Sequence, residues 1–135
     1  MAKLTGADRV KARLRGLTSR SAKQRIGAAI YAAADMLRVD AALSISSGAV
    51  SGKNHVPSRP GEPPNYDTGD LADKIEVRQV DDFECEVVAS SGHAVPLEMG
   101  TSKMAERPFM RPAAKRIRPK AQRLVAAAIA REGVK

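Results

Sequence analysis

The sequence predicts an α+β fold with a long N-terminal helix, a small antiparallel sheet of three to four strands and a C-terminal helix packed on that sheet. Three observations lead to this prediction. Apolar residues follow a helical spacing within segments 1–47 and 107–135, they alternate with polar residues within 69–106, and prolines interrupt both patterns within 48–68. A chain of 135 residues fits one domain, so we treat residues 1–135 as a single unit.

The N-terminal segment contains the longest helical pattern. From Ala22 to Ala41, apolar residues recur at intervals of three and four positions, which places them on one helix face. Thr18 or Ser19 can cap this helix through a side-chain oxygen, and the run at 44–48 is expected to end it. Residues 3–16 are expected to form a shorter, more basic helix.

Segment 48–68 is expected to be a loop, because it contains four prolines between positions 57 and 64. A loop of this length in a small domain is generally either functional or disordered. Two interpretations therefore remain open at this point. The segment is a flexible linker, or it is a proline-stiffened arm that docks on a neighbouring subunit.

The segment 69–106 carries the strand patterns. Residues 74–80 and 83–87 alternate apolar and charged side chains, and Asp81 and Asp82 form a turn, which predicts an antiparallel hairpin. Residues 93–98 are expected to add a third strand. Pro96 would confine that strand to the edge or the end of the sheet.

The C-terminal segment again has helical spacing, from Ala113 through Ile117 and Leu124 to Ile129. Pro112 suits the first turn of a helix, where its missing N–H has no cost. Pro119 lies in the interior, where it is expected to kink or split the helix, because an interior proline costs about 3 kcal/mol.

Charge is distributed in blocks along the chain. The net charge of +8 is made of +6 over residues 1–47, zero over 48–68, −6 over 69–106 and +8 over 107–135. A strongly basic chain indicates nucleic-acid binding, whereas opposite blocks also suit subunits that associate through charge. The composition does not decide between these two functions.

The predicted core is thin, because 23 of the apolar residues are alanine and only four residues are aromatic. Burying one larger apolar side chain contributes about 1.5–3 kcal/mol. We therefore expect a neighbouring subunit to cover part of the apolar surface. The alternative is a self-sufficient, alanine-rich monomer.

No catalytic or cofactor-binding pattern is found in the sequence, and we expect neither enzymatic activity nor a metal. His55 and His93 lack partners at ligand spacing, and the single Cys85 lies between two glutamates, where a reactive thiolate is disfavoured. Asp67, Asp70 and Asp73 form an acidic cluster, but we expect Asp67 or Thr68 to cap a short helix rather than the cluster to bind a metal. A cysteine or metal hydrolase remains a distant alternative.

The sequence also lacks a signal peptide or an apolar run of about 18 residues, so a membrane location is not expected. The lone cysteine gives no indication of an oxidising compartment. The chain is expected to be made and assembled in a cytoplasm.

Three short motifs occur in order between residues 60 and 113. They are a proline-rich stretch leading to Thr-Gly-Asp-Leu at 68–71, Leu-Glu-Met-Gly-Thr at 97–101, and Arg-Pro-Phe-Met-Arg-Pro-Ala at 107–113. This order resembles the tail-component family of long-tailed bacteriophages, whose members are neck, head–tail joining or tail-completion proteins. The chain departs from the family pattern before the second motif, where His93 or Val95 stands in place of the usual aromatic residue.

The resemblance implies a structural virion protein of the tail or neck that forms a homo-oligomeric ring. Its implied partners are the head–tail connector, in the form of a stopper or adaptor protein, and the tail terminator or tube proteins, with passing contact to genomic DNA. The motif or interface residues that it implies are Pro60, Gly61, Pro63, Pro64, Thr68, Gly69, Leu71, Glu98, Gly100, Thr101, Arg107, Pro108, Phe109, Arg111 and Pro112. A small basic DNA-binding protein is the alternative function.

These motifs also allow structural predictions. Gly100 allows a positive φ in the turn, and Thr101 can form a hydrogen bond within that turn. Phe109 is expected to fill the junction between sheet and helix. Arg107 and Arg111 are expected to reach carboxylates such as that of Glu98.

Overall fold

The computed structural model describes residues 6–45, 57–64 and 70–134. It confirms an α+β chain that begins with helices, continues into a hairpin and ends with a long helix. The elements are α1 (Gly6–Leu17), α2 (Arg20–Ser44), α3 (Asp70–Asp73), β1 (Ile75–Asp81), β2 (Glu84–Ala89), α4 (Ala94–Met99) and α5 (Met110–Val134).

Helix α2 begins and ends close to the predicted positions. Ser19 is its N-cap, and the Ser19 hydroxyl accepts a hydrogen bond from the backbone N–H of Ala22 at 3.2 Å. The helix ends at Ser44. The expected stop sequence continues to residue 48, but positions 46–48 lie outside the described residues.

Helix α5 runs without interruption through Pro119, so the expected split of the helix is wrong, whereas the expected kink stays a prediction. Pro119 and Lys115 are both exposed. Because Pro119 has no N–H, the Lys115 carbonyl lacks its usual hydrogen-bond donor in the helix. Since Lys115 is exposed, this carbonyl can hydrogen-bond to water instead. The position of Pro119 on the solvent side explains why the helix continues.

Helix α5 lies antiparallel along α2, and this differs from the predicted packing across the sheet. Two ion pairs join the helices: Arg25 of α2 pairs with Glu132 near the end of α5, and Asp40 of α2 pairs with Arg116 nearer its start. The small side chains on both helices, such as the fully buried Ala22 and Ala113, allow close approach. The apolar face of α5, which we expected to pack on the sheet, therefore packs mainly on α2.

The sheet contains two strands in the part of the chain that the structure describes. β1 and β2 pair antiparallel, with Val77 opposite Val87 and Gln79 opposite Cys85, and the register shifts between Gln79 and Asp81 at the turn. The predicted hairpin is confirmed, and both strands pack on α2.

The predicted third strand at 93–98 is wrong, because Ala94–Met99 form helix α4. Pro96 is the third residue of this helix, where its missing N–H leaves no bond unmade. The Leu97 N–H donates to the His93 carbonyl at 3.1 Å, and the Gly100 N–H donates to the Pro96 carbonyl at 2.8 Å. The segment predicted as sheet, 69–106, thus also contains helices α3 and α4.

The hairpin turn lies directly against α2 at Gly27. A Cβ atom at this position would lie 2.8 Å from the Asp82 carbonyl oxygen, which is too close for a real contact. The absence of a side chain at Gly27 therefore allows the hairpin to approach the helix.

We expect Gly27→Ala to lower the free energy of unfolding by about 1–3 kcal/mol, the usual cost of overpacking. Gly16→Ala is the matched control, because the nearest atom to its Cβ would be at 3.6 Å. Alanine in that helix should stabilise by about 0.5–1 kcal/mol. Urea denaturation of both variants measures the difference, and equal stabilisation at the two positions would contradict the close approach.

The core lies where α2, α4, β1 and the start of α5 meet. Its buried members are Ala41, Ile45, Ile75, Ala94, Phe109 and Ala113. Ten large apolar side chains remain exposed among the described residues, including Leu43 at 78% and Val95 at 70%. No helix within the described ranges is long and apolar enough to cross a membrane.

Candidate functional site

The structure brings segments of all three motifs together at the N-terminus of α5. The Gly61 N–H donates to the carbonyl of Glu106 at 2.9 Å. This bond joins the first motif to the residue directly before the third. The Arg107 N–H donates to the Leu97 carbonyl at 2.6 Å, which joins the third motif to the second. Gly61 and Glu106, which are 45 positions apart in sequence, thus meet in one junction.

Glu98 is the central polar group of this junction. One carboxylate oxygen, Oε2, accepts the backbone N–H groups of Phe109 and Met110 at 2.8 and 3.0 Å. The other, Oε1, accepts the backbone N–H of Arg111 at 2.9 Å. Because the first N–H groups of a helix have no partner within it, the carboxylate caps α5 from the neighbouring helix α4.

The environment of Glu98 stabilises its ionised form. Burial raises the pKa of Glu98, but the hydrogen bonds from Phe109, Met110 and Arg111 outweigh it and hold that pKa below its ordinary value. The side chain is 12% exposed. A negative charge at a helix N-terminus is also favoured by the helix dipole.

Arg111 reaches the Glu98 carboxylate, as predicted. Its Nε lies 3.0 Å from Glu98 Oε1, and its Nη2 donates to the Glu98 carbonyl at 2.7 Å and to a carboxylate oxygen of Glu106 at 2.9 Å. These two carboxylates raise the pKa of the Arg111 guanidinium, with Glu106 contributing most. The side chain is half-exposed, so its ion pairs are screened by water.

For Arg107 the structure gives a different partner from the predicted carboxylate. Its Nε donates to the Ser58 carbonyl at 2.9 Å, which fastens the proline-rich segment to the third motif. Ser58 was not among the predicted site residues, and no pattern around it distinguishes it from other loop serines. It is nonetheless buried, as is Pro64.

The turn between α4 and α5 depends on Gly100, which has a φ of 77°. A Cβ atom there would lie 3.0 Å from the Glu106 nitrogen and 3.1 Å from the Met104 oxygen, both backbone atoms. The Thr101 side chain accepts the Lys103 N–H at 3.2 Å, as expected for a residue that stabilises its own turn.

Phe109 fills the centre of the junction and is 1% exposed. It packs in the cluster that includes Ile75 of β1 and Ala94 of α4. The prediction that this side chain fills the space between sheet and helix is therefore correct, with α4 as a further wall.

The remaining motif residues surround this centre. Leu71 packs on the core, Pro63, Pro108 and Pro112 are half-buried, and Pro60 is exposed. Gly61 has a φ of 84°, and a side chain at this position would meet nothing. Thr68 and Gly69 lie outside the described residues.

A second polar contact supports the junction from the side of α3. Asp70 pairs with Lys74 at 2.7 Å and accepts the Ser91 hydroxyl at 2.6 Å. The hydrogen bonds from Lys74 and Ser91 lower the pKa of Asp70. Asp70 thus links α3 to the segment before α4; the proposed caps at 67 and 68 lie outside the described residues.

The described residues form no cluster of three or more His, Cys, Asp or Glu that could hold a metal. His93 precedes α4, and Cys85 is half-buried on β2, while His55 lies outside the described ranges. The charged groups of the junction bind one another and the backbone. This arrangement can hold a loop, a turn and a helix in a fixed geometry.

Comparison with known proteins gave no match: no protein-family model, curated protein or solved structure is significantly similar to the chain.

Proposed function

We propose that the chain is a structural virion protein that joins or completes the tail at the head–tail interface of a long-tailed phage, as part of a ring. The observation that carries this proposal is the convergence of the three motif segments on the N-terminus of α5. Motifs that resemble those of neck and tail-completion proteins here build one structural junction, through Glu98, Arg107 and Phe109. The role requires no reaction.

The surface supports an assembly function as well. Exposed apolar side chains lie on α1 (Val10, Leu14), at the hairpin turn (Val80, Phe83) and on α4 (Val95, Met99). All six are at least 48% exposed, and α1 has no buried residue. Helix α1 contacts α5, but its residues are at most half-buried there, so a neighbouring subunit is an expected further source of stability.

The charge blocks favour association between copies. The hairpin carries exposed acidic side chains, including Asp82 and Glu84, whereas α5 carries exposed basic side chains, including Arg118 and Arg123. A contact between different surfaces of identical subunits generates a ring when the rotation closes. The proposed neighbours of this ring are the connector and the tail terminator or tube proteins.

The test is a phage in which the gene is interrupted and the protein is supplied from a plasmid. We expect filled heads and separate tails without the protein, and joined, infectious particles when it is supplied. Gold-labelled antibody should locate the protein at the neck by electron microscopy. Normal joining without the protein, or a label confined to another part of the particle, would refute the proposal.

The second candidate function is binding of DNA through phosphates. Its support is the density of exposed cations on α1 (Arg9, Lys11, Arg13, Arg15) and on α5 (Arg118, Lys120, Arg123). Phosphate binding weakens steeply as salt increases. A gel shift that is present at low salt and lost at high salt would favour this candidate, and no shift at low salt would remove it.

A further inference from the structure

An apolar groove of about 610 Å³ lies between α2, β2 and α5. Its lining includes Ile30, Ala33 and Leu37 of α2, Cys85 and Val87 of β2, and Ile117 and Ala121 of α5. Three elements of the chain thus share one apolar groove.

The rim of this groove is basic. Arg111, Lys115 and Arg118 of α5 all line it, and all three are exposed. Arg111 is paired with Glu98 and Glu106. Lys115 and Arg118 therefore supply the positive charge at the rim that is not already used by the junction at the start of α5.

The hairpin turn has the complementary character. Val80 and Phe83 are 53% and 48% exposed there, and Phe83 is one of only two phenylalanines in the chain. Exposed Asp81, Asp82 and Glu84 surround them. The turn is thus an apolar protrusion flanked by negative charges. The groove is an apolar recess with positive charges at its rim.

We propose that the groove binds the hairpin turn (Val80–Glu84) of a second copy of this chain. The turn cannot enter the groove of its own chain, because β2, which continues from the turn, itself lines that groove and the Asp82 carbonyl lies against Gly27 of α2. The contact therefore joins two different surfaces of two copies. One copy keeps a free turn and the other keeps a free groove, so further copies can be added.

This inference deepens the proposed function, since it assigns the contact between the subunits of the ring, and it rests on that proposal for the closure of the ring. Burial of Phe83 and Val80 would supply the apolar part of the contact. The charge pairs would supply register and selectivity. Such a contact weakens with added salt, because its charged rim remains near solvent.

The experiment is a charge-reversal pair measured by sedimentation equilibrium on the purified full chain. The groove variant is Lys115→Glu with Arg118→Glu. The turn variant is Asp82→Lys with Glu84→Lys, which leaves the Asp81 carboxylate to accept the Asp82 N–H at 2.7 Å. We expect each variant alone to self-associate at least about tenfold more weakly than the wild type, because like charges then face each other.

The equimolar mixture of the two variants provides the decisive arm. The groove variant has an acidic turn and an acidic rim, and the turn variant has a basic turn and a basic rim, so each complements the other at both contacts. We expect the mixture to associate close to the wild-type strength. Restoration in the mixture cannot arise from misfolding of either variant.

The matched control is Lys120→Glu with Arg123→Glu, which makes the same charge change on exposed positions of α5 outside the groove. This variant should associate like the wild type. Cys85, the single cysteine, gives a second readout, because its alkylation should slow as the wild type associates.

Equal loss of association in the groove variant and the control, or a mixture that fails to associate, would overturn the assigned contact while leaving the ring proposal intact. The assigned contact would also be overturned if the purified wild type stayed monomeric while tail joining in the phage still required Lys115 and Arg118. The groove would then bind another virion protein. Normal tail joining without the protein, together with normal self-association of the purified chain, would refute the proposed function alone.

Discussion

Phe109→Ala is expected to lower the free energy of unfolding by about 4 kcal/mol, within the range measured for truncation of buried phenylalanines. The side chain is 1% exposed and is the largest fully buried one among the described residues. Its neighbours include Ile75 and Ala94, which come from separate elements and cannot all collapse into the space. The loss should appear as a lower midpoint in urea denaturation followed by circular dichroism.

Phe83→Ala is the matched control, because it removes the same atoms from a side chain that is 48% exposed. Its effect on the free energy of unfolding should stay within about 0.5 kcal/mol, as for most surface substitutions. The two phenylalanines therefore separate two roles: Phe109 should determine stability, and Phe83 should affect association. A loss of 1 kcal/mol or less for Phe109→Ala would contradict its central position in the core.

The helices and the hairpin could be predicted because their patterns are long and regular. The apolar spacing from Ala22 to Ala41 spans most of α2, and the alternation over 74–80 and 83–87 matches β1 and β2 closely. In a long pattern, a few residues that break the spacing do not change the predicted element. The predicted N-cap Ser19 also defines where α2 begins.

Short patterns were less informative. Residues 93–98 are a six-residue run after a predicted turn, with no clear alternation, and such a run fits a short helix equally well. The conformation of this segment depends on contacts distant in sequence, because Glu98 binds the N–H groups at the start of α5. Similarly, the effect of Pro119 depended on which side of α5 faces solvent, and that side follows from the packing on α2.

The predicted site residues were located by motif, but their partners were not predictable. Arg111 and Glu98 meet as expected, whereas Arg107 binds the Ser58 carbonyl, a backbone group that carries no sequence signal. The capping role of Glu98 was also missed. Local sequence identifies a cap only within the first turn of its own helix, and Glu98 lies 12 residues before Met110.

Glu98→Gln is the second substitution with a large expected effect, a loss of about 2 kcal/mol in the free energy of unfolding. The carboxylate accepts three backbone N–H groups and the Arg111 guanidinium through two oxygens. Glutamine offers one oxygen, and its amide nitrogen would face donors. Glu106→Gln is the control, because Glu106 also pairs with Arg111 but is half-exposed, so its effect should be below about 1 kcal/mol.

The pH dependence of stability distinguishes the charge of Glu98 from its shape. The folded state holds the pKa of Glu98 below its ordinary value, so the unfolded chain binds this proton at a higher pH than the folded chain does. The contribution of Glu98 is therefore fully present above about pH 4.3, the ordinary glutamate pKa, and is lost as the pH falls through the lowered pKa of the folded state. Glutamine at 98 has no such proton, so the stability difference between wild type and Glu98→Gln should shrink as the pH falls through this range. A difference that stayed constant from neutral to acidic pH would show that the carboxylate acts by its hydrogen-bond geometry alone and that its negative charge does not stabilise the start of α5.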